Sequence, residues 1–167
     1  MNSTSTTSVP LPGWRDLWRA ARANLEWLAS LLAAVMAINW HDLIVEKFQN
    51  KSWDIGAYYS AIFDWSSIQA AFLFGVYAFF LSRSEPFLQA IGGTPVFKQL
   101  RQYVVRSLYL SLTLSVLTLP VLVSPPEMKS GNLIGFIVFW FLSTLLTYTF
   151  FCFLKVVRVF GKIERMG

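Results

Sequence analysis

Charge is scarce in this chain: Asp, Glu, Lys and Arg make up 14% of its 167 residues, against about a quarter in an ordinary soluble domain. Histidine and cysteine are scarcer still, with His41 and Cys152 each the sole residue of its type. A single cysteine excludes an intrachain disulfide, and one histidine beside one cysteine excludes a His/Cys metal cluster or a bis-histidine haem within the chain. No metal or cofactor is expected. Cys152 stands in the aromatic run Phe150–Phe153, where a small apolar thiol packed in a helix is the simpler reading than an activated nucleophile. The sequence also lacks a nucleophile with a base beside it, a paired-carboxylate motif and a glycine-rich phosphate loop. Gly92-Gly93 before Thr94-Pro95 marks a turn between helices rather than a phosphate cradle. An enzyme is not expected.

What the chain has in abundance is apolar surface. Hydrophobic residues reach 55%, aromatics 17%, and the mean hydropathy is +0.51. That leaves too little charge to cover a water-facing surface, so the composition predicts an integral membrane protein of the all-α class, in one domain.

Four stretches are free of Asp, Glu, Lys and Arg over lengths near the 20 or so residues that cross the hydrocarbon. They are Ser107–Pro126, Ser130–Leu154, the shorter Trp65–Ser82, and Trp27–His41, which Glu26 and Asp42 close at its two ends. These predict a four-helix transmembrane bundle with spans near 25–45, 63–82, 103–123 and 133–154. Residues 83–101 then form a loop and 155–167 a basic tail.

The net charge of +5 and pI near 9.6 raise the question of a nucleic-acid partner. Their distribution answers it. Eleven of the fourteen basic residues fall before span one (Arg15, Arg19, Arg22), between spans two and three (Arg83, Lys98, Arg101, Arg106) and after span four (Lys155, Arg158, Lys162, Arg165). The opposite side keeps only Lys47, Lys51 and Lys129, beside Asp42, Glu46, Asp54, Asp64 and Glu127. Counting acids too, the sides carry +7 and −2. Basic loops stay in the cytoplasm, so both termini are expected inside a cell inner (plasma) membrane. The excess positive charge serves orientation and a grip on anionic lipid of the inner leaflet. No nucleic acid is needed.

Met1–Pro12 is an uncharged Ser/Thr-rich stretch that reads as a disordered cytoplasmic tail rather than a cleaved signal. Over residues 13–23, Trp14, Leu17, Trp18 and Ala21 recur at helical spacing while Arg15, Arg19 and Arg22 share another face, the pattern of an interfacial amphipathic helix. Thr94-Pro95 places a cap residue before a first-turn proline, and Phe97, Leu100 and Val104 follow among Lys98 and Arg101. Aligning Pro12 with Pro95 superposes Arg15 on Lys98 and Leu17 on Leu100. The chain then divides into two helical hairpins of like orientation.

Polar residues within the spans are the remaining site candidates. Ser107, Ser111, Ser115 and Thr118 form one stripe in span three, which either packs helices or lines a narrow pore in an oligomer. Pro120 is expected to kink that helix, and Gly131 with Gly135 opens span four as a small-residue pair. Asn39, His41, Asp42, Asp64 and Gln69 form an expected polar cluster at the outer ends of spans one and two. Glu26 and Arg106 form an expected buried ion pair on the inner side. Trp14, Trp18, Arg15, Arg19, Arg22, Lys98, Arg101, Lys155, Arg158, Lys162 and Arg165 face lipid or a partner.

The function these parts favour is a non-catalytic membrane anchor or complex subunit that oligomerises, recruits a cytoplasmic protein, or both. A homo-oligomeric pore or membrane-perturbing effector is the first alternative, and a small dimeric transporter the second.

Overall fold

A computed structural model describes residues 24–82, 95–128 and 133–164, and it is all-helical there, with no strand. Five helices follow in order: α1 Leu25–Asn39, α2 His41–Gln49, α3 Ile55–Ser82, α4 Pro95–Val123 and α5 Leu133–Glu164. The segment 13–23, with Trp14, Arg15, Trp18, Arg19 and Arg22, lies outside the described residues, as do the tail 1–12, Arg83, Thr94, Gly131, the Lys162 side chain and Arg165.

Among the described residues two helices are long and apolar enough to cross a membrane, within Phe97–Val123 and Leu133–Gly161, and a third span arises if α1 and α2 count as one broken element. That is consistent with a membrane protein. α3 runs for 28 residues, and its uncharged stretch begins after Asp64.

The helix expected over 25–45 is not continuous. It ends at Asn39, and α2 departs from it at 67°. Asn39, His41 and Asp42 around the break are weak helix formers in a helix interior, and Asp42 is favourably placed in the first turn of a new helix. α1 alone rises only about 22 Å. α2 then buries Ile44, Val45 and Phe48 while Asp42, Glu46, Lys47 and Gln49 stay exposed. Ile44 and Phe48 pack with Met128 and Phe139, so α2 lies over the start of α5 and the segment before it.

Lys51 closes α2 in the left-handed region, at φ 54°, and the amides of Ser52 and Trp53 reach back to the Lys47 carbonyl at 3.1 and 3.2 Å. Asp54 then caps α3, its Oδ1 accepting from the amides of Gly56 (2.8 Å) and Ala57 (3.3 Å). A side-chain acceptor at that position satisfies donors that the first helical turn leaves unpaired.

The other helices run past the apolar stretches that announce them. α4 begins at Pro95, so residues 95–101 belong to a helix rather than to a loop, and it continues through Pro120 to Val123. α5 extends to Glu164, so most of the expected basic tail is helical. A hydrocarbon-length apolar run defines the buried part of such a helix; nothing in Arg, Lys or Glu stops the helix from continuing into water.

α3 packs on α4, α4 on α5, and α5 on α1; α3 meets α5 through long side chains, as in the 2.7 Å hydrogen bond of Tyr58 with Ser143 and the ring contacts Trp65–Phe150 and Phe72–Phe153, while α1 has no comparable contact with α3 or α4. By backbone packing the helices follow one another in the row α3–α4–α5–α1, with α1 at one end. Two laterally open apolar grooves lie between α3 and α5, one of about 330 Å³ at Trp65, Leu146, Thr147 and Phe150, the other of about 400 Å³ at Ala71, Phe72, Gly75, Val76 and Phe160. The expected repeat is absent from the packing, because α4 and α5 form a packed pair whereas α1 and α3 do not.

One glycine is required by this packing. A Cβ on Gly135 would stand 2.6 Å from the Glu127 carbonyl oxygen, so the segment before α5 lies against its first turn only because that position has no side chain.

Candidate functional site

Two polar arrangements cross the row. The first is the α3–α4 seam. On α4 the fully enclosed side chains are Leu100, Val104, Ser107, Ser111, Leu114 and Thr118, and on α3 Tyr59, Ile62, Ser66 and Leu73, with Gln69 at 3% exposure completing the series. Both series advance in alternating steps of three and four residues, the spacing that keeps one stripe facing a partner along a supercoiled pair. Apolar layers lie at the two ends: Tyr59, Ile62 and Leu114 at one, Leu73, Leu100 and Val104 at the other. The middle is polar.

In that middle, the hydroxyls of Ser66 and Ser115 share a hydrogen bond of 2.8 Å. Gln69 Nε2 donates to Ser107 Oγ at 3.3 Å and to the Thr149 carbonyl at 3.1 Å, joining α3, α4 and α5. Ser111, Ser115 and Thr118 each donate to the carbonyl four residues earlier in α4. Small residues let the backbones approach, and their hydroxyls never face hydrocarbon unpaired. The predicted stripe Ser107, Ser111, Ser115 and Thr118 is therefore enclosed between helices.

The second arrangement sits at the other end of α1 from the bend, where α1, α4 and α5 converge. Glu26, 5% exposed, pairs with Lys155 of α5. The expected partner, Arg106, instead donates to the Tyr148 hydroxyl and places its guanidinium carbon 5.6 Å from that ring's centroid. Lys155 Nζ lies 5.8 Å from the ring centroid of Tyr103, and Trp27 packs on Tyr148 with centroids 4.9 Å apart. Residue 26 faces α5 rather than α4 because α1 packs chiefly on α5. Two cations were available at this level, and the order of helices chose between them.

The outer polar cluster is not assembled. His41 Nδ1 meets Asp42 Oδ1 at 2.9 Å, with Asp42 fully exposed, a pairing of little energetic weight. The His41 ring packs edge-on to Phe136 at 4.3 Å. Asn39 and Asp64 are exposed and no bond among the described residues ties them to His41 or Asp42, while Gln69 belongs to the α3–α4 seam. Of the outward-facing basic residues, Lys98, Arg101 and Arg158 are exposed as expected, and Lys155 is turned in towards Glu26.

No protein family, curated protein or solved structure matches this chain. Its chemistry must be read from its own residues. Among the described residues no group of His, Cys, Asp and Glu is arranged to hold a metal ion. Cys152 is buried. The residues that sequence reasoning passed over are Tyr148, Trp27 and Tyr103, aromatic groups whose helical register towards Arg106 and Lys155 depends on which helices are neighbours. Trp140 was passed over likewise: its indole N–H donates to the Ala34 carbonyl at 3.0 Å and fixes α5 against α1.

Proposed function

We propose that the chain is a four-span membrane protein with both termini cytoplasmic, acting as a non-catalytic anchor or subunit of a membrane assembly. In this reading α3 is the remaining span, and α2 lies along the outer surface. The observation that carries the proposal is the enclosure of the polar residues of the α3–α4 seam. The Ser and Thr hydroxyls and the Gln69 N–H groups that would serve a conduction path are spent on helix association. A pore lined by Ser107, Ser111 and Ser115 would require α3 to leave α4.

The groups left free to act lie on the outside of the row. α1 packs mainly on α5, and its Leu28, Leu31, Leu32, Val35 and Ile38 are exposed, a face suited to lipid, a second copy or a neighbouring membrane subunit. On the cytoplasmic side Lys98, Arg101 and Arg158, with Arg15, Arg19, Arg22, Lys162 and Arg165, supply the positive surface for anionic lipid and for a soluble partner.

The test joins topology to transport. A membrane-impermeant maleimide should label Lys51→Cys in intact cells and Ser3→Cys only after permeabilisation. Purified protein in liposomes should pass no ions above the empty-vesicle rate. External labelling of Ser3→Cys would reverse the orientation. Flux abolished by Ser111→Leu would replace the anchor reading with the pore.

A further inference from the structure

The charges of the inner cluster do not cancel. Glu26 is committed to Lys155, and Arg106 meets no carboxylate among the described residues. Two cations and one carboxylate leave one positive charge, and it resides on the exposed member, Arg106. A guanidinium offers five N–H donors in a fixed fork; the described residues take one, through the Tyr148 hydroxyl. Arg106 also adjoins the uncharged run that begins at Ser107, so in a bilayer it lies at the boundary between headgroups and acyl chains. A cation there is costly without a counter-charge.

The surroundings describe that counter-charge. Tyr148 holds the guanidinium by hydroxyl and ring face, and Trp27, 60% exposed, packs on the same ring. Tyr109, one turn along α4 from Arg106, is 68% exposed. Tyr and Trp with one wet and one apolar side are the residues that settle at headgroup depth. A planar fork at that depth matches a phosphate by paired N–H···O bonds. Glu26, the nearby carboxylate suited to the ammonium or choline of a zwitterionic lipid, is already paired.

We propose that Arg106, oriented by Tyr148, binds the phosphate of an anionic glycerophospholipid in the cytoplasmic leaflet. The leaflet rests on the orientation proposed above; the binding residue and headgroup class do not.

The experiment measures lipid retained by the purified full-length protein, by native mass spectrometry, in detergent with equal concentrations of phosphatidylglycerol and phosphatidylcholine. The wild type should retain phosphatidylglycerol preferentially. Arg106→Gln should lower that occupancy about fivefold to tenfold, the loss expected for one well-placed basic contact. Arg106→Lys should keep part of it, and Lys47→Gln, an exposed cation on α2 beyond the bend from Glu26, should leave it unchanged. Tyr148→Phe, which keeps the ring and removes the acceptor, provides a second variant should Arg106→Gln fail to fold, and should weaken retention in the same direction. Wild-type retention by both the Gln and the Phe variant would overturn the proposal, and so would displacement of the lipid by an equal concentration of inorganic phosphate. The readout is blind to orientation, so a reversed topology in the labelling test would move the site to the other leaflet without altering this result.

Discussion

Glu26 on α1 and Lys155 on α5 form an ion pair largely withdrawn from solvent, with side-chain exposures of 6% and 17%. It is the one described salt bridge that ties two of the long helices together, and Ser30 donates to the Glu26 carbonyl one turn further on. Breaking a fully buried pair from one side costs about 3–5 kcal/mol. Lys155 keeps some solvent, so Glu26→Gln and Lys155→Met should each cost somewhat less, about 2–3 kcal/mol. The double variant should recover most of that loss, because no lone charge is left behind. Thermal unfolding in detergent around the full double-mutant cycle measures this; additive losses would show that the two groups do not interact.

Gln69 joins three helices through a single amide. Gln69→Leu should cost no more than about 1.7 kcal/mol, the upper range for an interhelical hydrogen bond within a membrane protein. Gln69→Glu, nearly the same shape, should cost more. It replaces the N–H that faces the Thr149 carbonyl with an oxygen and buries an acid with no cation among the described residues beside it. Unfolding temperatures at neutral pH should rank wild type above Leu above Glu, and a Glu variant as stable as the Leu variant would contradict the assigned bonds.

Gly135 should not tolerate a side chain. The 2.6 Å approach of a new Cβ to the Glu127 oxygen forces the segment 124–128 away from α5 and withdraws Met128 from its pocket with Ile44, Phe48 and Phe139. Gly135→Ala should cost about 1–3 kcal/mol, in the range of overpacking. Gly75→Ala is the control, since nothing lies within 4 Å of its Cβ. Equal stability for the two variants would refute the close approach.

Lys51 offers the opposite sign. A left-handed residue with a Cβ carries strain that glycine lacks, offset in part by glycine's greater freedom in the unfolded chain. Lys51→Gly should therefore stabilise the protein by about 0.5–1 kcal/mol. A lower unfolding temperature than wild type would show that the lysine side chain contributes more than its backbone costs.

The sequence made the helical class and the apolar runs of α4 and α5 legible, because charge excluded from twenty consecutive residues is a one-dimensional signal. The positions that α4 buries were half legible: the serines stood out as polar residues in an apolar helix, whereas Leu100, Val104 and Leu114 on the same stripe did not differ from their lipid-facing neighbours. The break at Trp40 was missed because Trp27–His41 followed by Leu43, Ile44 and Val45 keeps a helical hydrophobic pattern through the bend. Arg106 was assigned to Glu26 on depth alone. Choosing Lys155 required knowing that α1 adjoins α5 and not α4, and that information is carried by shape, not by composition.

The row order also dictates a schedule for biogenesis. A chain made from its N-terminus presents α1 and α2 to the membrane before α5 exists, yet α5 supplies the surface on which α1 docks, the countercharge for Glu26, and Phe139 beneath Phe48. The first hairpin must therefore wait, with a buried-type acid uncompensated, until the contact of longest sequence separation can close. A ribosome stalled before residue 133 would leave α1 as a ready client for chaperones or quality-control proteases, while α3 and α4, already adjacent in the chain, would by then be zipped together.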